Sequence, residues 1–199
     1  MKTLKYFFFV ALGSVLMAAD CSNKDSEFYN DVYVVVPDLV QIETQNLYVV
    51  NDILWLNSDN FSRLITEQNQ ATPLDVLKTT GGATSFNFTY MLEREISQNN
   101  WQLVPLGANL IAQSGNSEET DLFVAAWCLY SPGSDSYEFR NGLRLVEAGN
   151  YRLSFGYNST SATSVELRSD SFGNNLFLNI DSPVSDLDAA GNYTFTVSE

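Results

Sequence analysis

The run Ser85–Glu93, SFNFTYMLE, puts Phe86, Phe88, Tyr90 and Leu92 on one side of the chain and Asn87 and Thr89 on the other. The alternation has period two rather than 3.6, so the segment is a strand with one apolar face. The same grammar recurs in DVYVVV, LVQIE and LYVVNDILWLN, which are rich in β-branched and aromatic residues. WQLVPL, ANLIAQ, DLFVAAWCLY, YEFRNGLRLV, NYRLSFGY, SVELRS, NLFLNI and NYTFTV continue it, divided by Gly, Asn, Asp, Ser and Pro clusters such as SPGSDS and SDSFGNN. Only PLDVLKTT, residues 73–80, offers a short helix. With 13 Phe and 10 Tyr, the chain has ample apolar surface for a core. The expected fold is all-β, an antiparallel β-sandwich over residues 31–199.

One phrase is spelled twice. LVEAGNYRLSF begins at Leu145 and LDAAGNYTFTV at Leu187, 42 positions later. Leu145, Gly149 and Tyr151, and again Leu187, Gly191 and Tyr193, resemble the tyrosine corner of immunoglobulin-like sandwiches. There the Tyr hydroxyl bonds to upstream backbone while its ring enters the core. Gly permits the bend, and Asn150 or Asn192 can bond the turn locally. The spacing is too short for one complete immunoglobulin-like domain per phrase, so the body is one enlarged sandwich or two small ones divided near residue 107. SGNSEET, 114–120, reads as a hairpin loop rather than a linker.

The first twenty residues carry an address. Lys2 and Lys5 precede an apolar run from Tyr6 to Met17. As a helix that run would span about 18 Å, too short for an ordinary membrane crossing. It reads as a signal peptide, residues 1–20, removed on export. Ala18, Ala19 and Cys21 resemble the lipobox of bacterial lipoproteins, with Asp20 where the pattern takes Gly, Ala or Ser. That resemblance implies a diacylglycerol thioether on Cys21; a secreted form without lipid is the alternative. Residues 21–30 are polar and acidic and read as a flexible tether. Within them Lys24-Asp25-Ser26-Glu27 is similar to the export signal that carries Bacteroidota lipoproteins to the outer face of the outer membrane; a plain solvated linker is the other reading. VVNDILWLNSD, residues 49–59, followed by the Tyr-rich YEFRNGLRLVEAGNYRLSF, is similar to small Bacteroidota outer-membrane lipoproteins, with Asn51 at a position usually Gly.

Composition narrows the chemistry. The 10 basic and 24 acidic residues give a net charge of −14; without residues 1–20, 8 face 23 and the balance is −15. Such a surface repels phosphate backbones, which argues against nucleic acid as a partner. The chain has no His, which removes the commonest general base and metal ligand and every Ser-His or Cys-His pair. Glu93 and Glu95 share a strand face, expected to be a solvated edge. Glu118, Glu119 and Asp121, and separately Asp181, Asp186 and Asp188, form acidic loop clusters that offer hard oxygens to Ca²⁺ but lack EF-hand spacing. Trp55, Trp101 and Trp127 would stack on sugars if exposed, yet their apolar surroundings favour the core. Cys128, in a continuous apolar run, is expected as a buried thiol, and with Cys21 acylated it has no intrachain partner. The sequons at Asn60, Asn87, Asn158 and Asn192 carry no weight in a bacterial setting.

The expected role is therefore non-catalytic and cofactor-free: a lipid-anchored interaction or accessory subunit of an outer-membrane protein complex. Glycan binding is the alternative, and a carboxylate-based hydrolase a distant third. Cys21→Ser should release the protein from the membrane fraction, as should inhibition of lipoprotein signal peptidase. Persistence of either form in washed membranes would remove the anchor.

Overall fold

In the computed structural model the described residues are 30–157, 159, 161–170 and 176–199. The expected signal peptide, Cys21 and the tether through residue 29 lie outside them, as does Asn158. The strands are β1 (Asn30–Val35), β2 (Gln41–Glu43), β3 (Tyr48–Val49), β4 (Ile53–Asn57), β5 (Leu64–Ile65), β6 (Leu74–Asp75), β7 (Ser85–Ser97), β8 (Asn100–Leu103) and β9 (Leu110–Ser114). They continue as β10 (Asn116–Glu119), β11 (Val124–Ser131), β12 (Ser136–Glu138), β13 (Arg140–Arg144), β14 (Gly149–Ser154), β15 (Ser164–Ser169), β16 (Leu176–Pro183) and β17 (Tyr193–Ser198). The protein is an all-β sandwich rich in antiparallel pairs.

The spine is β7. Phe86, Phe88, Tyr90 and Leu92 are at most 2% exposed, so the alternation read from the sequence is the alternation of the fold. Thirteen residues of backbone must be paired along both edges. Ser85–Tyr90 pair with β11, and on the other edge Phe86 and Asn87 pair with β15. Met91–Arg94 then pair with β14, and Glu93–Ser97 with β8. Around this spine the large sheet runs β1-β16-β15-β7-β14-β17-β3, with β10 and β12 both on β11. The second sheet runs β2-β4-β13-β9, and β5 pairs β6 apart from both. Leu54, Leu56 and Leu143 of the second sheet join the inward residues of β7, β11 and β15 in one hydrophobic cluster. Phe61, Phe86 and Tyr137 meet within it at ring distances of 4.8–5.0 Å, and Phe88 meets Phe139 edge-on at 5.0 Å. Asp31–Glu199 form one compact unit.

The chain changes sheets twice at one place. Between β9 and β10 it crosses at Gly115, and between β12 and β13 it crosses at Phe139. YEFRNGLRLV is therefore two strands in different sheets. At Gly115, where φ is +73°, a Cβ would lie 2.6 Å from the Trp127 carbonyl and 2.9 Å from that of Glu138. Only glycine lets the two crossings touch. SGNSEET is consequently not the expected hairpin loop: Asn116–Glu119 are a strand antiparallel to β11. Its polarity reflects an edge position facing water, which hydrophobic periodicity does not register. The helix expected over 73–80 contracts to Val76–Thr79 (α1), started by the Asp75 carboxylate, which accepts the Lys78 N–H at 3.1 Å. LYVVNDILWLN is broken at Asn51, which takes φ +77°, a left-handed turn of the kind Gly would supply.

The repeated phrases turn out to be neighbours. β14 and β17 pair antiparallel, Tyr151 opposite Phe195, and these two rings stack at 5.5 Å. The first phrase forms the expected corner. Leu145 is buried, and the Tyr151 hydroxyl donates to the Glu147 carbonyl at 2.8 Å. The second does not. Tyr193 is only half-buried, and its hydroxyl meets the Tyr48 hydroxyl at 3.3 Å instead of upstream backbone. Its turn is closed by Asp188, which accepts from the Ala190 and Asn192 N–H groups. Gly191, φ +82°, sits so close to the Ala162 carbonyl that a Cβ would lie 2.1 Å away. Asn150 bonds Glu95 and Thr196 across the sheet, not its own turn. Tyr48 is also tied to backbone a few residues upstream: its hydroxyl accepts the Gln45 N–H at 3.1 Å and donates to the Glu43 carbonyl at 3.4 Å.

Tyr151→Phe removes the bond that fixes a sheet crossing and should destabilise the protein by about 1 kcal/mol. Tyr193→Phe leaves Tyr48 its backbone partners and should cost only about 0.3 kcal/mol by the same reasoning. Urea unfolding of both variants checks the order, and equal losses would contradict it.

Candidate functional site

The strand pattern decides where the tryptophans go. Trp55 lies between Leu54 and Leu56, both fully buried, and Trp127 between buried Ala126 and Cys128. Period two then turns both indoles away from the core. All three tryptophans are half-buried on outer sheet faces, not in the core as their apolar neighbours suggested. Two carry a cation. The Arg140 guanidinium lies 4.2 Å from the centroid of Trp55, and that of Arg152 lies 4.7 Å from Trp101. Trp55 reaches across Gly142, where an added Cβ would come within 2.9 Å of the indole. Arg140 is itself forked onto Glu43 by two 2.8 Å bonds, which hold the Glu43 carboxyl below the usual carboxylate range.

The carboxylates expected as a solvated pair are engaged instead. Glu93 accepts from Arg152 at 2.6 Å. Glu95 accepts the Asn150 side-chain amide at 3.0 Å and the Asn99 N–H at 2.8 Å, and these two bonds lower its pKa.

The acidic clusters do not assemble either. Glu119 is on β10, not in a loop, and its two oxygens accept the Leu106 and Gly107 N–H groups at 2.7 and 2.6 Å. Glu118 and Asp121 are exposed. Asp181 is on β16, while Asp186 and Asp188 lie in the following turn, where Asp188 caps backbone. Among the described residues no three Asp, Glu, His or Cys side chains come together as a metal cage. Cys128 is buried at the point where β11 passes from β10 to β12, and burial pushes its thiol up to about 12.

A cleft was not legible in the sequence. On one edge of β7 the pairing with β11 ends at Tyr90 and that with β8 begins at Glu93; Val104 bridges the interval by donating to the Leu92 carbonyl at 2.9 Å. β8 stops at Leu103 before Pro105, which has no N–H to extend a ladder. The interval opens a cleft of about 390 Å³ lined by Met91, Leu103, Pro105, Phe123 and the polar Glu119 and Thr120. Its volume is within the range of ligand pockets. Phe123 packs on Tyr157 at 4.4 Å, and Leu122 and Tyr157 beside it are 52% and 44% exposed. Across the 103–105 segment a second cleft of about 250 Å³ is bordered by Ile96, Val146 and Arg94.

The sequence signal for this site was Pro105 alone. The gap exists because two strands that share one edge of β7 do not meet, and that follows from register. No family model, no curated protein and no solved structure matches this chain.

Proposed function

We propose that this protein is a non-catalytic outer-membrane lipoprotein, held by acyl chains on Cys21 and facing the exterior, that acts as an interaction or accessory subunit through the cleft beside β7. The reading of its body as immunoglobulin-like is supported by the Tyr151 corner. The observation that carries the role is the open cleft with large exposed side chains beside it. The cleft is open and its lining mixes apolar with polar side chains, and Leu122 and Tyr157 stand exposed beside it. Of the two acids that line it, Glu119 is held by two backbone N–H groups and Asp121 is exposed. An opening of mixed polarity beside exposed large apolar side chains fits a contact surface. Two-dimensional confinement by a lipid anchor raises effective concentration, so a modest surface suffices. The occupant we favour is an apolar segment of an outer-membrane protein. A photo-crosslinking residue at Leu122, installed in the full-length protein in cells, should give one dominant membrane-protein adduct that the same probe at exposed Gln70 does not. Equal labelling from both positions, or none from Leu122, would refute the proposal.

A second reading, glycan binding, rests on Trp127. Its ring faces outward, and among the described residues no guanidinium lies over it, unlike Trp55 and Trp101. Titration with neutral polysaccharides should then shift tryptophan emission in the native protein but not in Trp127→Phe. A flat response removes it.

A further inference from the structure

The outer face of β7, β15 and β16 holds a set of oxygens that the fold leaves without partners. Val165 and Leu167 are buried in the core, so Glu166 and Arg168 between and beyond them point outward. By the same alternation Asn179 and Asp181 face outward from β16, where Leu178, Ile180 and Ser182 face in, and Thr89 faces outward from β7. Glu166 stands directly opposite Asp181 in the β15–β16 ladder. The β15–β7 ladder ends with Arg168 opposite Asn87, and Glu166 and Thr89 each lie two residues past that pair on the outward face. Glu166 and Asp181 thus form a cross-strand pair, with Thr89 on the neighbouring strand β7 and Asn179 two residues from Asp181 on the same face.

Three oxygens in this group are buried and have no hydrogen-bond partner: Asp181 Oδ1, Asn179 Oδ1 and Thr89 Oγ1. Asn179 is only 2% exposed and Thr89 8%. The Asn179 amide is fixed in orientation, because its Nδ2 donates to Asp31 Oδ1 at 3.1 Å, which turns the carbonyl oxygen away from that carboxylate. Orphaned buried acceptors are rare in folded proteins and call for a cause. Like charges directly opposite on a ladder are destabilising, and among the described residues neither Glu166 nor Asp181 has an ion pair. The nearest cation, Arg168, is directed to Asp31 at 3.5 Å and over the Phe177 ring at 4.3 Å.

We propose that this face binds a divalent cation, Ca²⁺, between the carboxylates of Glu166 and Asp181, with the Asn179 carbonyl and the Thr89 hydroxyl as further ligands. All four donors are hard oxygens of the kinds Ca²⁺ selects; Ca²⁺ takes six to eight oxygens in adaptable geometry, so water completes the shell. The cation supplies the missing partner to the buried acceptors and removes the repulsion across the ladder. This site shares only Asp181 with the acidic clusters visible in the sequence, because its other members come from separate strands.

The full-length protein, purified in detergent and stripped with EGTA, tests the site by terbium luminescence. Trp127 lies one row away, in register with Asn87, and serves as the sensitiser. Saturable luminescence displaced by Ca²⁺ is expected, with a Ca²⁺-dependent rise in Tm. Glu166→Gln and Asp181→Asn should each weaken binding at least tenfold while the far-ultraviolet spectrum stays unchanged, and Asp186→Asn should leave it intact. Glu166→Gln keeps the side-chain volume, so a folding failure of Asp181→Asn would not block the test. No saturable binding, binding indifferent to both substitutions, or a Tm that rises equally with and without Ca²⁺ in Asp181→Asn would overturn the proposal. The last result would mean repulsion without a cation.

Discussion

A strand of thirteen residues whose two edges both run inside a sheet imposes a strict condition: its backbone donors and acceptors must all be paired. Among the described residues no single neighbour is long enough to pair a whole edge of β7. Four strands share the task, β11 and β8 along one edge and β15 and β14 along the other. The large sheet is therefore two smaller ladders joined through one continuous strand. Where the partners on one edge change over, the ladder has a gap, and the gap is the cleft beside Met91 and Phe123. The proposed contact surface is in this sense a by-product of strand length.

The same economy governs how the sheets are joined. β10 and β12 both pair with β11, and the chain enters one and leaves the other from the opposite sheet. The two crossings lie side by side, separated by the missing side chain of Gly115. Cys128 is sealed in the core at that junction, and Tyr151 secures the chain as it turns into β14. The joined sheets share one continuous hydrophobic cluster, with Phe61, Phe86 and Tyr137 in mutual ring contact.

Acidic residues serve this architecture in several ways. Glu119 and Asp188 accept backbone N–H groups at turns, Asp75 starts the short helix α1, and Glu43 and Glu93 hold arginines that cover tryptophan rings. A net charge of −14 thus includes many groups that are structural fittings. Glu166 and Asp181 differ from these. They face each other across a ladder beside unpartnered buried oxygens, and that contrast directs attention to them.

Local rules went far here. Alternation identified the strand of β7, and carried through to Leu54–Trp55–Leu56 it also places the indole outside, although an apolar neighbourhood suggests the core. The Leu145–Gly149–Tyr151 spacing located a real corner; the matching Leu187–Gly191–Tyr193 spacing did not, because Tyr193 meets Tyr48 from a strand 145 residues away. The split of YEFRNGLRLV at Phe139 and the strand in SGNSEET escaped notice for a related reason. Both depend on which sheet receives the segment, and hydrophobic pattern carries no such label. The sequence by itself determined most of the strands, the inward face of β7 and the absence of imidazole chemistry, since these are set by residue type and by period two. Tertiary structure alone decided which strands meet, and with them the cleft and the grouping of Thr89, Glu166, Asn179 and Asp181. Those sites are made by register between segments far apart in the chain, and register is fixed by the global pairing of backbone, not by any local word.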